Sequence, residues 1–407
     1  MDNQIPTPDF ETYSMDNPIV EAAISNGTVR VKWADGGEAK YHHMWLRDNC
    51  ACEHCIDAGS HERVNSILLI PDDVHPTSVA VSNLGGLKVN WSEPVGNCTQ
   101  SHYHPGWLRA FDYSNGMRPI DEWEIETWGQ ELEDNLPIFS ANEVFNDENT
   151  RYNLLTTIRR LGLAIVTDMP KDFEAFERIS TQIGLLRDMN WGKIFEIIAK
   201  PEGEYIANRG FALDAHSDAA TREYMPGFQI FQCVENRSKG GESFWVDGFR
   251  IAEIMREKYP KDFALLSTVP WEQASRSKRT HYRWNAPVFD LDHKRHITAV
   301  RDTTWLREPL CTDFETVPKL FKAYRQFASL KAARENQVER KLVEGDVAFV
   351  DNRRALHGRR AFDPTSGLRH IRTCYGEREE LLSSIRLIER ARAMRVFGGR
   401  SEAKQET

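Results

Sequence analysis

The sequence lacks any uncharged apolar run long enough to cross a bilayer, which argues against a membrane-embedded chain. Its start, Met1-Asp2-Asn3-Gln4, offers neither a basic region nor an apolar core, so no signal peptide is expected and the expected location is cytoplasmic. Excess basic charge is missing too. The formal net charge is −9, and such a surface repels a phosphate backbone on average, so nucleic acid is not an expected partner. Repeats and low-complexity tracts are absent, and 40% hydrophobic with 28% charged residues is the balance of an ordinary globular protein. Cysteine is scarce, seven in 407 residues, yet three of the seven crowd together as Cys50, Cys52 and Cys55. In a reducing compartment so tight a cluster reads as a metal site rather than a disulfide framework.

Hydropathy patterning divides the chain. Residues 20–115 alternate as strands do: Thr28 to Trp33 closed by Asp35-Gly36-Gly37, then Val79-Ala80-Val81 and Leu87 to Trp91 flanking Gly85-Gly86. A small antiparallel β domain is expected there. Residues 116–148, polar, acidic and broken by Pro119 and Pro137, suggest a linker with short helical pieces. The main domain is expected over 149–393. It begins with helices at Asn153–Leu161 and Asp172–Ile183 around the buried strand Leu163-Ala164-Ile165-Val166. Short strands follow, interrupted by helices near Phe249–Tyr259 and Val317–Leu330, a mainly β (α+β) pattern that suits a sandwich or jelly roll buttressed by helices. Residues 394–407 read as a tail.

Within that domain, Leu213-Asp214-Ala215-His216-Ser217-Asp218 sets an imidazole and a carboxylate two residues apart, so both can face one way from an extended segment. Together they are two thirds of a facial triad for non-haem Fe(II). The apolar strand Val347 to Asn352 precedes Leu356-His357-Gly358, making His357 the candidate third ligand. His-x-Asp alone is a weak signal. It gains weight from Arg369, twelve residues beyond His357, whose guanidinium can clamp the distal carboxylate of 2-oxoglutarate, and from Ser243, whose hydroxyl can add to the same anchor. The bland alternative for Arg369 is a solvated side chain in an arginine-rich stretch.

Three blocks carry a wider resemblance: Tyr41 to Cys50 (YHHMWLRDNC), His104 to Arg109 (HPGWLR) and Gly240 to Phe249 (GGESFWVDGF), followed by Asp351 to Arg360 (DNRRALHGRR). From about Val29 to Arg390 the chain resembles the γ-butyrobetaine and trimethyllysine hydroxylases, within the taurine-dioxygenase-like group. The resemblance implies a double-stranded β-helix behind a small zinc-binding module. It also implies iron on His216, Asp218 and His357, with 2-oxoglutarate on Arg369. Cys50, Cys52 and Cys55 suit tetrahedral thiolate coordination of zinc. For the fourth ligand the family uses a histidine. Here the candidates are Cys98, preferred, and His102.

The family holds a trimethylammonium group in an aromatic cage, and Trp191, Phe195 and Tyr375 match cage positions, with Asn208 where a tyrosine is usual. Two asparagines that bind the substrate carboxylate correspond to Tyr205 and Arg301 (or Asp302). An added arginine would suit a more highly charged anion, so the expected substrate is a γ-butyrobetaine-like zwitterion, with 2-trimethylaminoethylphosphonate the alternative. O₂ is the expected second cosubstrate, and relatives suggest a homodimer. A halogenase requires the carboxylate ligand to be absent, and Asp218 is present. A non-catalytic zinc scaffold does not explain an intact triad. A demethylase of protein or nucleic acid fits poorly with a small-cation cage and the negative charge.

Overall fold

The structure, a computed structural model, describes residues 5–9, 11–116, 125–199 and 208–398. It divides into two compact units, Met1–Glu122 with Glu389–Thr407, and Trp123–Ile388.

The first unit holds two three-stranded antiparallel sheets: Ile19–Ser25, Thr28–Trp33 and Glu38–His42; then Pro76–Val81, Leu87–Val95 and Cys98–Tyr103. Asn26 and Gly27 make the first hairpin, both with positive φ, as a two-residue turn between right-twisted strands requires. The alternation seen in sequence is the burial pattern. Val29, Val31 and Trp33 point into a core shared with Tyr41, Leu87, Val89 and Trp91. A short helix, His43–Asp48, carries the chain from the first sheet to the cysteine cluster.

The second unit is built on two facing sheets. The larger runs Ile194–Ile198, Arg369–Gly376, Phe228–Asn236, Val347–Asp351, Leu163–Thr167 and Ile138–Ser140, with Leu186–Arg187 added at Arg369–Gly376. The smaller runs Leu213–His216, Ala355–Arg359, Ser243–Asp247 and Val338–Arg340. Between the sheets lie Leu163, Ile165, Ala348, Val350, Trp245 and Ile371. The intervening side chains, Ala164, Val166, Val347 and Phe349, turn outward, beneath helices Glu148–Leu161 and Phe173–Ser180. Burial on both faces is why these strands read as unbroken apolar runs rather than alternating ones. Helices Gly248–Lys258, Pro260–Thr268 and Thr316–Ala332 cover the outer side of the smaller sheet through Phe244, Val246 and Leu356. This is the mainly β, helix-buttressed double-stranded β-helix expected.

The stretch 116–148 behaves differently from a simple linker where it is described. Ile138–Ser140 pairs in parallel with Leu163–Thr167, and helix Ala141–Asn146 buries Ala141 and Val144 in the second unit's core. Pro137 and the surrounding acids masked this short edge strand. At the other end Met394–Gly398 continues helix Arg378–Ala393 as a π turn, and the remaining tail residues lie outside those described.

Candidate active site

The strand Leu213–His216 pairs with Ala355–Arg359 so that His216 stands opposite His357. Their rings lie 4.2 Å apart, centroid to centroid. The strand ends at His216, and Asp218 sits in the turn that follows; Ala219, with φ 56°, reverses the chain there. Two devices hold this turn. Asn352 receives the Asp218 N–H at 2.7 Å and donates to the Asp218 and Pro226 carbonyls at 3.0 and 3.1 Å. Ser217, which points away as its parity requires, exchanges backbone and hydroxyl bonds with Asp302 and receives the Thr303 hydroxyl on its carbonyl. Behind them Lys331 is ion-paired to Asp302 and donates to the Ala215 carbonyl at 2.9 Å.

The three ligand atoms lie within 4.8 Å of one another. His216 Nε2 is 3.3 Å from Asp218 Oδ1, and His357 Nε2 is 3.8 Å from Oδ2. Metal bonds of about 2.1 Å at right angles separate adjacent ligand atoms by about 3 Å, so a small contraction suffices. Protonation favours metal binding as well. His216 Nδ1 donates to the Asp214 carbonyl at 2.8 Å, which leaves the Nε2 lone pair for the metal. Burial, with His216 alongside, pushes His357 down to about 3, so its imidazole is neutral. Burial alone would raise the Asp218 carboxyl, but His357, His216 and Tyr375 outweigh it and keep it ionised well below the usual range.

Beside the triad lies a pocket lined by Arg369, Ser243, Arg359, Phe231 and Ile371. Arg369 is 7% exposed, and among the described residues its guanidinium has no hydrogen bond and no acid partner; burial pushes it down to about 10. A buried cation without an anion is costly unless a ligand supplies one. Ser243 is the direct cross-strand partner of Arg359. Arg359 escaped the sequence reading, although it shares a face with His357 two residues earlier on one strand. Its guanidinium donates to the Arg209 and Phe211 carbonyls at 2.7 and 2.8 Å, which fixes the approach to the ligand strand. Trp305, also missed, sets its ring edge-on to His216 at 4.6 Å. Nothing local in sequence marks it.

Trp191, Phe195 and Tyr375 form a row, 5.4 and 5.9 Å between successive centroids, running from the half-exposed Trp191 inward. Its inner end touches the triad: the Tyr375 hydroxyl donates to Asp218 Oδ2 at 2.8 Å. Asn208 spends its amide on the Ile198 carbonyl at 3.0 Å, and Tyr205 lies outside the described residues. Arg301, expected at the substrate anion, has other partners in the fold. Its guanidinium is buried, and its two terminal nitrogens donate to the carbonyls of Ala220, Arg222 and Glu223, with Asp290 at 3.5 Å, so they serve the loop after the triad, while Nε has no partner among the described residues. Asp302, the alternative at that position, is taken by Lys331 and Tyr324.

In the first unit Cys50, Cys52, Cys55 and Cys98 converge, their sulfurs within 4.8 Å of one another. Cys50 and Cys98 are 3.7 Å apart, close to the edge of about 3.8 Å that zinc–sulfur bonds of ~2.3 Å give a tetrahedron. His102 is elsewhere, bonded to the Ser82 hydroxyl at 2.9 Å. Arg47, 2% exposed, aims its guanidinium at Cys55 Sγ, 3.5 Å away. The acidic groups around it are the four thiols: their mutual contacts hold Cys55 well below the ordinary thiol range, with Arg47 adding to the effect, and push Cys50 and Cys98 up.

A two-histidine, one-carboxylate centre opening on a pocket with a buried arginine, Arg369, is what an iron(II)- and 2-oxoglutarate-dependent dioxygenase requires, and this is such an enzyme. The chain belongs to the taurine catabolism dioxygenase TauD, TfdA family, whose model matches residues 118–375; a γ-butyrobetaine hydroxylase-like N-terminal model matches 21–109. It is 35% identical over 385 residues to a γ-butyrobetaine dioxygenase of Pseudomonas sp. (strain AK-1), covering 94% of this chain and 99% of that one. A trimethyllysine dioxygenase of Meyerozyma guilliermondii is 26% identical, covering 92% and 96%. The human γ-butyrobetaine dioxygenase is 23% identical, covering 88% and 94%.

Proposed function

We propose that this dioxygenase hydroxylates a short trimethylammonium zwitterion of the γ-butyrobetaine type, and that a structural zinc ion occupies the four-cysteine site. The observation that carries the substrate reading is the aromatic row Trp191–Phe195–Tyr375 ending on the iron carboxylate. Ring faces attract a cation that has no hydrogen bonds to donate, each worth roughly 0.5–2 kcal/mol, and penalise a hydrated primary ammonium. The likeness to a γ-butyrobetaine dioxygenase over nearly the whole length supports the same reading. The phosphonate alternative rested on Arg301, whose terminal nitrogens bond backbone carbonyls of the loop after the triad, so the carboxylate is preferred.

Iron(II) bound by His216, Asp218 and His357 would supply the oxidation: with O₂ and 2-oxoglutarate, a C–H becomes C–OH while succinate and CO₂ are released. The residues of the chain select and place. Arg369 and Ser243 hold the distal carboxylate of 2-oxoglutarate. The aromatic row holds the cation, so that one carbon along the zwitterion stays beside the triad; an error of about 1 Å there can cost ~100-fold in rate.

The test compares γ-butyrobetaine with 2-trimethylaminoethylphosphonate, each against its primary-amine analogue, by succinate release. Trimethylated carboxylate should react at least ~10-fold better than the amine, in line with the ring–cation energies. Equal turnover of the primary amines would make the row mere packing and defeat the reading.

A further inference from the structure

Tyr375 stands at the junction of two sites. Its ring forms the inner wall of the aromatic row, stacked on Phe195 at 5.9 Å, and its hydroxyl donates to Asp218 Oδ2 at 2.8 Å. The direction of that hydrogen bond is set from behind. Gln229, the cross-strand partner of Tyr375, is 1% exposed and donates its Nε2 to the same hydroxyl oxygen at 3.3 Å. A phenol that accepts from an amide must send its own proton elsewhere, and the carboxylate is where it goes.

One oxygen of Asp218 is therefore engaged. The other, Oδ1, is the one 3.3 Å from His216 Nε2. A carboxylate held in this way ligates a metal through a single oxygen. Freed to rotate, it could chelate through both and occupy a position that the cosubstrate or O₂ needs. Partners that orient ligands from outside the coordination sphere typically change metal affinity 10–100-fold when lost.

We propose that Tyr375 is a positioning residue that holds Asp218 to one-oxygen ligation and transmits occupation of the aromatic row to the metal. The second half rests on the substrate reading above. A cation over the ring draws electron density from the phenol and makes its O–H a stronger donor. Asp218 then gives less charge to the metal. The iron in turn senses that substrate has arrived, through one side chain.

Tyr375→Phe keeps the ring and removes only the hydroxyl. Under anaerobic conditions with 2-oxoglutarate, Fe(II) titration followed by the visible charge-transfer band should show an iron dissociation constant raised about 10-fold. Adding γ-butyrobetaine should shift the wild-type band and leave that of the variant in place, although calorimetry gives similar γ-butyrobetaine affinities for both. Wild-type iron affinity in Tyr375→Phe overturns the one-oxygen role, and a wild-type band shift overturns the transmission. Should that variant fold poorly, Gln229→Leu strips the orienting donor and leaves the tyrosine; iron binding should weaken about threefold, and unchanged binding counts against the proposal. If γ-butyrobetaine does not bind the wild-type enzyme, the substrate reading falls, and the iron titration, which needs no substrate, still decides the ligation role.

Discussion

Arg369 shows how a single residue trades stability for function. Its guanidinium is buried with no acid beside it among the described residues, a desolvation cost that the carboxylate of 2-oxoglutarate would offset on binding. Arg369→Met should therefore have two effects of opposite sign. The KM for 2-oxoglutarate should rise by ~30-fold or more, the scale of losing one partner of a buried charge pair. The cosubstrate-free protein should melt higher, and the stabilisation normally produced by added 2-oxoglutarate should vanish. Calorimetric scans with and without 2-oxoglutarate check both; a lower melting temperature of the free variant would mean that Arg369 has a partner in the fold. At the zinc site the decisive residue is Cys98. Cys98→Ser should lose zinc, measured by metal analysis after dialysis, whereas His102→Ala should keep it, because His102 is bonded to Ser82. Zinc retained by the serine variant at wild-type stability would exclude Cys98 as a ligand.

Individual elements explain what could be read beforehand. Helix Glu148–Leu161 was legible because Leu154, Leu155, Ile158 and Leu161 recur at helical spacing and Gly162 closes it with φ 70°. Its first turn was missed, because it is polar and begins at the Asp147 cap, whose carboxylate receives the Thr150 N–H. Strands buried on both faces announced themselves as apolar runs, and His216 with His357 followed from strand parity and from what lies next to such runs. For Arg301, sequence shows the charge but not the carbonyls of Ala220, Arg222 and Glu223 that its terminal nitrogens meet. Tyr375 was legible as a ring but not as a hydrogen-bond donor to Asp218, since that contact joins residues 157 apart.

Helix Pro105–Ala110 carries a prediction at this scale. Its cap is His104, whose Nδ1 accepts the N–H groups of Gly106 and Trp107, and burial pushes its imidazole down to about 4. The folded state thus binds this proton less readily than the unfolded chain, where the value is near 6.5. The cap's contribution, about 1 kcal/mol, is present above pH 6.5 and is lost as the pH falls toward 4. His104→Asn caps without titrating in that window. The fall in melting temperature of the N-terminal transition between pH 6.5 and 4 should be smaller in the variant; identical slopes would show that His104 does not cap as a neutral acceptor.

For the molecule as a whole, two metal sites in two separately organised units imply two different dependences. His216 and His357 lie on strands and Asp218 on the turn after the first of them, held by Asn352 and by the Lys331–Asp302 pair and backed by the cores on either side of the larger sheet, so the fold rather than the metal brings them together. The four cysteines come from the end of one short helix, a loop and one strand, and as thiolates they would repel one another, with Arg47 beside them to balance part of the charge. Zinc in such a site contributes about 10–16 kcal/mol of binding free energy, much of which is folding free energy. Removing iron with a mild chelator should abolish turnover and move neither thermal transition by more than about 2 °C, the shift expected from less than about 1 kcal/mol. Releasing zinc by titrating the thiols with an organomercurial should lower or abolish the N-terminal transition, while the transition of the second unit stays in place and the Fe(II)–2-oxoglutarate charge-transfer band still forms. If zinc release instead erases that band, the first unit is needed to keep the iron site in shape, and the two metals are coupled through the fold rather than serving it separately.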